Sequence, residues 1–350
     1  MNKVLYTFLV MAFLCTATTG VFAGNPDRQG EAGAYELLMV PYARMAGLHA
    51  ITTSNISGVE AIRLNPAGIS GVQNMEVSLS SGIYLQGTGI NMSAAGFVKK
   101  MGNNSAFGFS LMSLSFGDIQ VRTTDQPEGT GYDYSPGFFN LGLTYSHTFE
   151  NKVSVGLTVR GISESTSDVS AFGFALDAGV QYVSGEMDNF RFGISLRNIG
   201  SKMRFGGEAL NAPADSPSGG YQLTLSQRSA GFELPSQLNI GASYDFYFGK
   251  SRLTAVTNFA SNSFARDQVG GGLEFSLNKM FMLRAAYKVD LGDIAVEEQS
   301  VYSGLSAGAS VVIPFGKKKE GRNSSLAIDY AYRQTTKWNA THNLGVRIGL

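Results

Sequence analysis

The feature that most constrains this chain is a long-range alternation of apolar and small polar residues. Phe139, Leu141, Leu143 and Tyr145 alternate with Asn140, Gly142, Thr144 and Ser146. Phe172, Phe174, Leu176, Ala178, Val180 and Tyr182 alternate with Gly173, Ala175, Asp177, Gly179 and Gln181. Leu238, Ile240, Ala242, Tyr244, Phe246 and Phe248 repeat the pattern, and Leu344, Val346, Ile348 and Leu350 end the chain on it. A period of two belongs to β-strands, whose successive side chains leave opposite faces of the pleat. Strands in soluble proteins run to about 5–6 residues, whereas a tilted membrane strand needs about 9–11. The run from Phe172 to Tyr182 alone covers 11 positions.

The second face separates two readings. A soluble sandwich carries Lys and Glu toward water, but here that face is Gly, Ser, Thr, Asn and Gln, and charged residues are only 15% of the chain. A barrel in lipid places apolar side chains outward and small polar ones toward its lumen. Strands satisfy their backbone groups in lipid only by closing the sheet. The expected fold is therefore all-β: a transmembrane antiparallel β-barrel, with a secreted soluble all-β protein as the competing reading. A mean hydropathy near zero does not suit a helical bundle. Lys+Arg and Asp+Glu are balanced at 27 each, without a basic block, which argues against a nucleic-acid partner.

The alternation marks fourteen strands, at 74–85, 88–98, 105–122, 137–149, 152–161, 170–183, 188–198, 236–248, 251–261, 267–277, 280–289, 301–314, 323–334 and 341–350. An even number suits a bacterial barrel, as do short periplasmic turns and longer outer loops. With the C-terminus periplasmic, the turns are 99–104, 150–151, 184–187, 249–250, 278–279 and 315–322. The outer loops include 123–136, 162–169, 199–235 and 290–300. The short outer connection 86–87 and the long periplasmic one 315–322 break the rule. The stretch 199–235 has room for a further hairpin, which would make sixteen strands. Phe149, Phe190, Phe248 and Phe281 fall beside the turns, as an interfacial girdle requires.

Residues 1–23 read as a secretory signal peptide: Lys3, an apolar core from Val4 to Cys15, and Val21-Phe22-Ala23 before the cleavage point. Cys15 is the only cysteine, so the mature chain has no disulfide and no thiolate chemistry. Residues 24–73 differ from the barrel region 74–350. Ala34 to Ala50 has helix-like apolar spacing broken by Pro41, and 55–73 carries turn and breaker residues. This segment precedes the first strand and so starts on the periplasmic side, where it hangs or folds back into the lumen. An empty fourteen-stranded barrel leaves a sizeable hole, so a plug is expected. Within it, Asn65-Pro66-Ala67-Gly68 reads as a rigid kink, since Pro fixes φ and Gly tolerates tight turning. It is either a simple turn or a gating hatch. Arg44 either pins the plug to a lumenal carboxylate or stands as a solvated charge.

Pro41-Tyr42-Ala43-Arg44-Met45-Ala46-Gly47, followed by Glu60-Ala61-Ile62-Arg63-Leu64-Asn65-Pro66-Ala67-Gly68-Ile69, resembles the PorV/PorQ family, within the wider group of barrels similar to the fatty-acid transporter FadL. The chain departs from the family pattern at Leu48-His49-Ala50, where members carry more glycine, and at Leu64, where an aromatic is usual. The resemblance implies a fourteen-stranded, non-enzymatic barrel in the outer membrane of a Bacteroidota-like bacterium. Arg44, Gly47, Asn65, Pro66, Ala67 and Gly68 would form its plug or hatch motif. PorV-like members imply a role in type IX secretion, engaging the secretion pore and the C-terminal signals of cargo. FadL-like members imply instead a transporter for fatty acids or other hydrophobic molecules.

Residue chemistry for catalysis is sparse. His49, His147 and His342 are far apart, with no zinc-ligand spacing, nucleophile elbow or phosphate loop. No catalytic residue, metal or cofactor is expected. Asp290, Asp293, Glu297 and Glu298 form either a solvated acidic loop or a hard-cation site. Lys317-Lys318-Lys319 and Arg322 read as a charged periplasmic turn. The loop 199–235, with Pro213, Pro217, Gly219 and Gly220, is the first candidate for a partner surface, since long loops often bind.

Overall fold

The computed structural model describes residues 24–292, 299–319 and 322–350. Fourteen long strands form one antiparallel sheet: β1 Met75–Ile83, β2 Asn91–Met101, β3 Ser105–Ser115, β4 Gly137–Thr148, β5 Val153–Thr166, β6 Val169–Ser184 and β7 Phe190–Gly200 make the first half. β8 Gln237–Phe248, β9 Ser251–Asn262, β10 Gln268–Leu277, β11 Phe281–Asp290, β12 Gly304–Lys319, β13 Arg322–Arg333 and β14 Thr341–Gly349 make the second. Each pairs with its chain neighbours, and β14 returns to β1 with Val346 opposite Leu79, which closes the barrel.

The two faces behave as the alternation requires. Phe172 and Phe174 are 62% and 57% exposed, while the inward Thr144 and Ser146 are at 1% and 0%. An apolar exterior around a polar interior is the inverse of a soluble fold and matches lipid outside.

Several boundaries differ from the sequence expectation. β5 and β6 stay paired out to Thr166 and Val169, so 162–169 is a tight hairpin rather than a loop. β12 and β13 pair out to Lys319 and Arg322, which removes the long turn at 315–322 and puts the backbone of Lys317-Lys318-Lys319 in a strand. Strand ends that project beyond the lipid keep their ladder bonds without apolar side chains, so the alternation fades before the strand does. β3 instead stops at Ser115; Ile119–Gln120 pairs with Asp133–Tyr134 inside an outer loop. The region 199–235 does hold a hairpin, Asn211–Asp215 with Gln222–Ser226, but it stays outside the wall, and the barrel keeps fourteen strands.

The segment from Gly24 to Asn74 lies inside the barrel and runs its length. Its first residues meet outer loops: Gly24 bridges to Arg266, and Gly33 N–H donates to the Glu233 carbonyl. It therefore begins at the outer mouth, because the chain must thread the lumen before turning into β1 at the periplasmic end. Short turns break it up: a 3-10 turn Tyr35–Leu38, helices Ala43–Ala46 and Ala61–Leu64, and a 3-10 turn Pro66–Gly71. Val59, Ile62, Leu64 and Ile69 pack with wall residues Met92, Val98, Met112 and Leu114 in one buried cluster. Each such side chain contributes about 1.5–3 kcal/mol on burial.

Candidate functional site: the plug and the cavity beneath it

The Asn-Pro-Ala-Gly kink is a joint between plug and wall. Asn65 is extended (φ −145°, ψ 101°) and its Oδ1 caps the following turn by accepting from Ala67 N–H at 3.2 Å. Its Nδ2 donates to the Thr53 carbonyl at 2.8 Å and reaches two wall carbonyls, Val180 at 3.1 Å and Ile194 at 3.4 Å. Val180 and Ile194 face each other across β6 and β7, so one amide straddles a rung of the barrel. That approach needs bare backbone in the wall. A Cβ on Gly179 would stand 2.0 Å from Asn65 Oδ1, and one on Gly156 would stand 2.3 Å from the Pro66 carbonyl carbon. These contacts account for glycine on the lumenal face.

Gly47 makes a second joint: its carbonyl accepts from Ser306 Oγ at 3.1 Å, and its Cα faces Gly308. Gly68 packs so tightly that a Cβ would lie 2.2 Å from the Ile56 carbonyl oxygen. Pro66 and Ala67 are buried with it. Among the described residues Arg44 pairs with no wall carboxylate. Its Nε lies 3.5 Å from Glu60 of the plug, its guanidinium donates to the Ser57 carbonyl, and Glu60 also accepts from Met45 N–H at 2.9 Å. Arg44 thus ties two turns of the plug together.

Three arginines that sequence reasoning passed over hold the plug by its carbonyls. Arg63, 1% exposed, donates to Asn140 Oδ1 at 2.9 Å and to the carbonyls of Glu36, Leu37 and Met39 at 3.0–3.3 Å. Arg160 donates to the Ile62 carbonyl at 3.1 Å and to Asp177 at 2.7 Å. Arg197 donates to the Leu37 carbonyl at 3.0 Å. Charge-assisted bonds of this kind are stronger than neutral ones. For Arg160 and Arg197 the available signal was an arginine at a lumenal position of the strand alternation; Arg63, on the plug, carried none.

Below the plug an ion-pair belt crosses nine consecutive strands of the closed ring. Arg191 on β7 donates to Asp245 on β8 at 2.6 Å. Arg252 on β9 lies 3.8 Å from Asp245 and donates to Glu274 on β10 at 2.7 Å. Arg284 on β11 donates to Glu274 at 2.6 Å and to Ser310 on β12 at 2.5 Å. Ser310 donates to Asp329 on β13, which Arg347 on β14 also engages at 3.0 Å. Arg347 lies 3.8 Å from Glu76 on β1, and Glu76 accepts from Val59 N–H of the plug at 2.8 Å. A cavity of ≈ 670 Å³ lies between this belt and the plug, lined from above by Arg44, Gly68, Ser70 and Gly71.

The loop residues are elsewhere. Gly219 and Gly220 take positive φ at the tip of the exposed outer hairpin, beside Pro217, with Pro213 on its first strand. Asp290 is held by Gln268, Ser300 and Ser303 rather than solvated, while Asp293, Glu297 and Glu298 lie outside the described residues, as does the signal segment 1–23. His147 bonds Ser105 on the wall and His342 bonds Tyr330. Among the described residues no metal-binding group of three or more His, Cys, Asp or Glu converges.

These features define a plugged, fourteen-stranded antiparallel membrane barrel. The Pseudomonas putida toluene transporter TodX is similar in fold at TM-score 0.53 and 13% identity, over 85% of this chain and 94% of TodX. The monoaromatic hydrocarbon channel CymD matches at 0.53 and 13% over 90% and 97%, and a Pseudomonas aeruginosa FadL homologue at 0.51 and 11% over 88% and 97%. Identities this low speak to the fold alone. No curated protein matches the sequence significantly. A family model does: residues 90–348 match that of the type IX secretion system membrane protein PorP/SprF, and the chain belongs to that family.

Proposed function

We propose that this chain is a non-enzymatic, protein-binding barrel of type IX secretion in the outer membrane, which holds partners at its ends rather than conducting solutes. The observation that carries this is the state of the lumen. Ala46, Val59, Ala61, Ile62, Ala67 and Ile69 of the plug are at 0% exposure, and the cavity beneath is walled by ion pairs. A route for hydrocarbons would be lined by apolar and aromatic side chains. Family membership points to the same system. The PorV/PorQ-like sequence Pro41–Gly47 and Glu60–Ile69 supports a place beside the secretion pore, engaging C-terminal cargo signals. The outer hairpin, with Tyr221 and Leu225 exposed at 61% and 54%, offers one docking surface. The fold neighbours, a toluene transporter and a monoaromatic hydrocarbon channel, supply the alternative, a hydrophobic-compound transporter.

Deletion of the gene tests the reading. Cargo should accumulate in the periplasm with its C-terminal signal uncleaved; normal secretion with slowed uptake of aromatics or fatty acids would instead establish the transporter.

A further inference from the structure

The periplasmic cavity and the belt around it hold six cations and five carboxylates, and the two kinds differ in what they show to solvent. Its carboxylates are withdrawn: Asp245, Glu60, Asp329, Glu274 and Glu76 have side-chain exposures of 0%, 2%, 3%, 10% and 16%. Arg284 and Arg347 are withdrawn with them, at 1% and 13%, but three cations stand forward: Arg44 at 20%, Arg191 at 24% and Arg252 at 32%. Lys100 also lines the cavity and takes no part in the belt. Lys100 is on β2 and Arg252 on β9, seven strands apart in a ring of fourteen, so they face each other across the mouth. Arg44 stands above them on the plug. One small anion cannot touch both walls, whereas an extended chain bearing several carboxylates can.

We infer that this cavity is a binding site for an acidic peptide segment of a periplasmic partner protein, its carboxylates meeting Lys100 on one wall, Arg191 and Arg252 on the other, and Arg44 above. The argument is charge complementarity: donors exposed, acceptors already consumed by the belt. A hydrocarbon gains nothing against exposed guanidinium groups, and a basic peptide meets like charge. The site deepens the secretion reading by giving the class of its periplasmic partner.

The test is fluorescence anisotropy with a labelled hexaglutamate peptide and the purified full-length barrel in mild detergent. Wild type should bind it, lose affinity as salt is raised, and ignore hexalysine. Lys100→Gln combined with Arg191→Gln should weaken binding about tenfold, the scale of two partly exposed charge contacts. Asp245 keeps Thr254 and Arg252 as partners in that variant, and heat-dependent gel migration checks that it is folded. Unchanged affinity in the double variant, no binding to folded wild type, or full displacement by equimolar inorganic phosphate would each overturn the site. The two readings fail separately. Binding in vitro with normal secretion after deletion removes only the secretion role; trapped cargo without peptide binding removes only this site.

Discussion

Replacing Asn65 by alanine should loosen the plug while leaving the wall intact. The side chain is at 0% exposure and makes four contacts, one as acceptor and three as donor. The two shorter donor contacts, at 2.8 and 3.1 Å, are ordinary buried hydrogen bonds worth about 0.5–1.5 kcal/mol each. Loss of the cap on Ala67 N–H adds about 0.5–2 kcal/mol. The sum is about 1.5–5 kcal/mol, all of it in the folding and docking of the plug, because the β6–β7 ladder does not depend on Asn65. Asn65→Asp sharpens the reasoning. It keeps an acceptor for Ala67 N–H but turns a carboxylate toward three carbonyl oxygens, so it should be at least as harmful as alanine. Limited proteolysis of detergent-solubilised protein reads plug protection, and planar-bilayer conductance reads lumen opening. Both variants should raise cleavage within 24–73 and increase conductance, with heat-dependent migration of the barrel retained. An aspartate variant as well protected as wild type would refute the role assigned to the amide donors.

A further perturbation probes the belt. Asp245→Asn removes a buried negative charge between Arg191 and Arg252 and turns one of the two acceptor oxygens, bound to Arg191 at 2.6 Å and Thr254 at 2.5 Å, into a donor, and should cost about 3–5 kcal/mol in urea unfolding; a loss below about 0.5 kcal/mol would show that the belt is not structural.

The alternation in runs such as Phe172–Tyr182 and Leu238–Phe248 was enough to determine a lipid-facing barrel, because a period of two is a local property of the pleat and lipid demands closure; that 199–235 adds no wall strand was decided by the fold. The kink at Asn65-Pro66-Ala67-Gly68 was legible for the same reason, since Pro and Gly act on their own backbone. Strand ends at Thr166–Val169 and Lys319–Arg322 were not, because cross-strand bonds hold them where side-chain patterning has faded. Nor was the purpose of Arg63, Arg160 and Arg197 visible, for their acceptors are carbonyls of segments far away in sequence. Arg44 shows the limit most plainly: its charge was evident, but only the folded chain decided that its partner is Glu60 rather than the wall. The sequence by itself determined which residues face lipid and which face the lumen. Tertiary structure decided what fills that lumen, which charges are consumed in the belt and which remain open to a partner, because those outcomes depend on distances between strands on opposite sides of the ring.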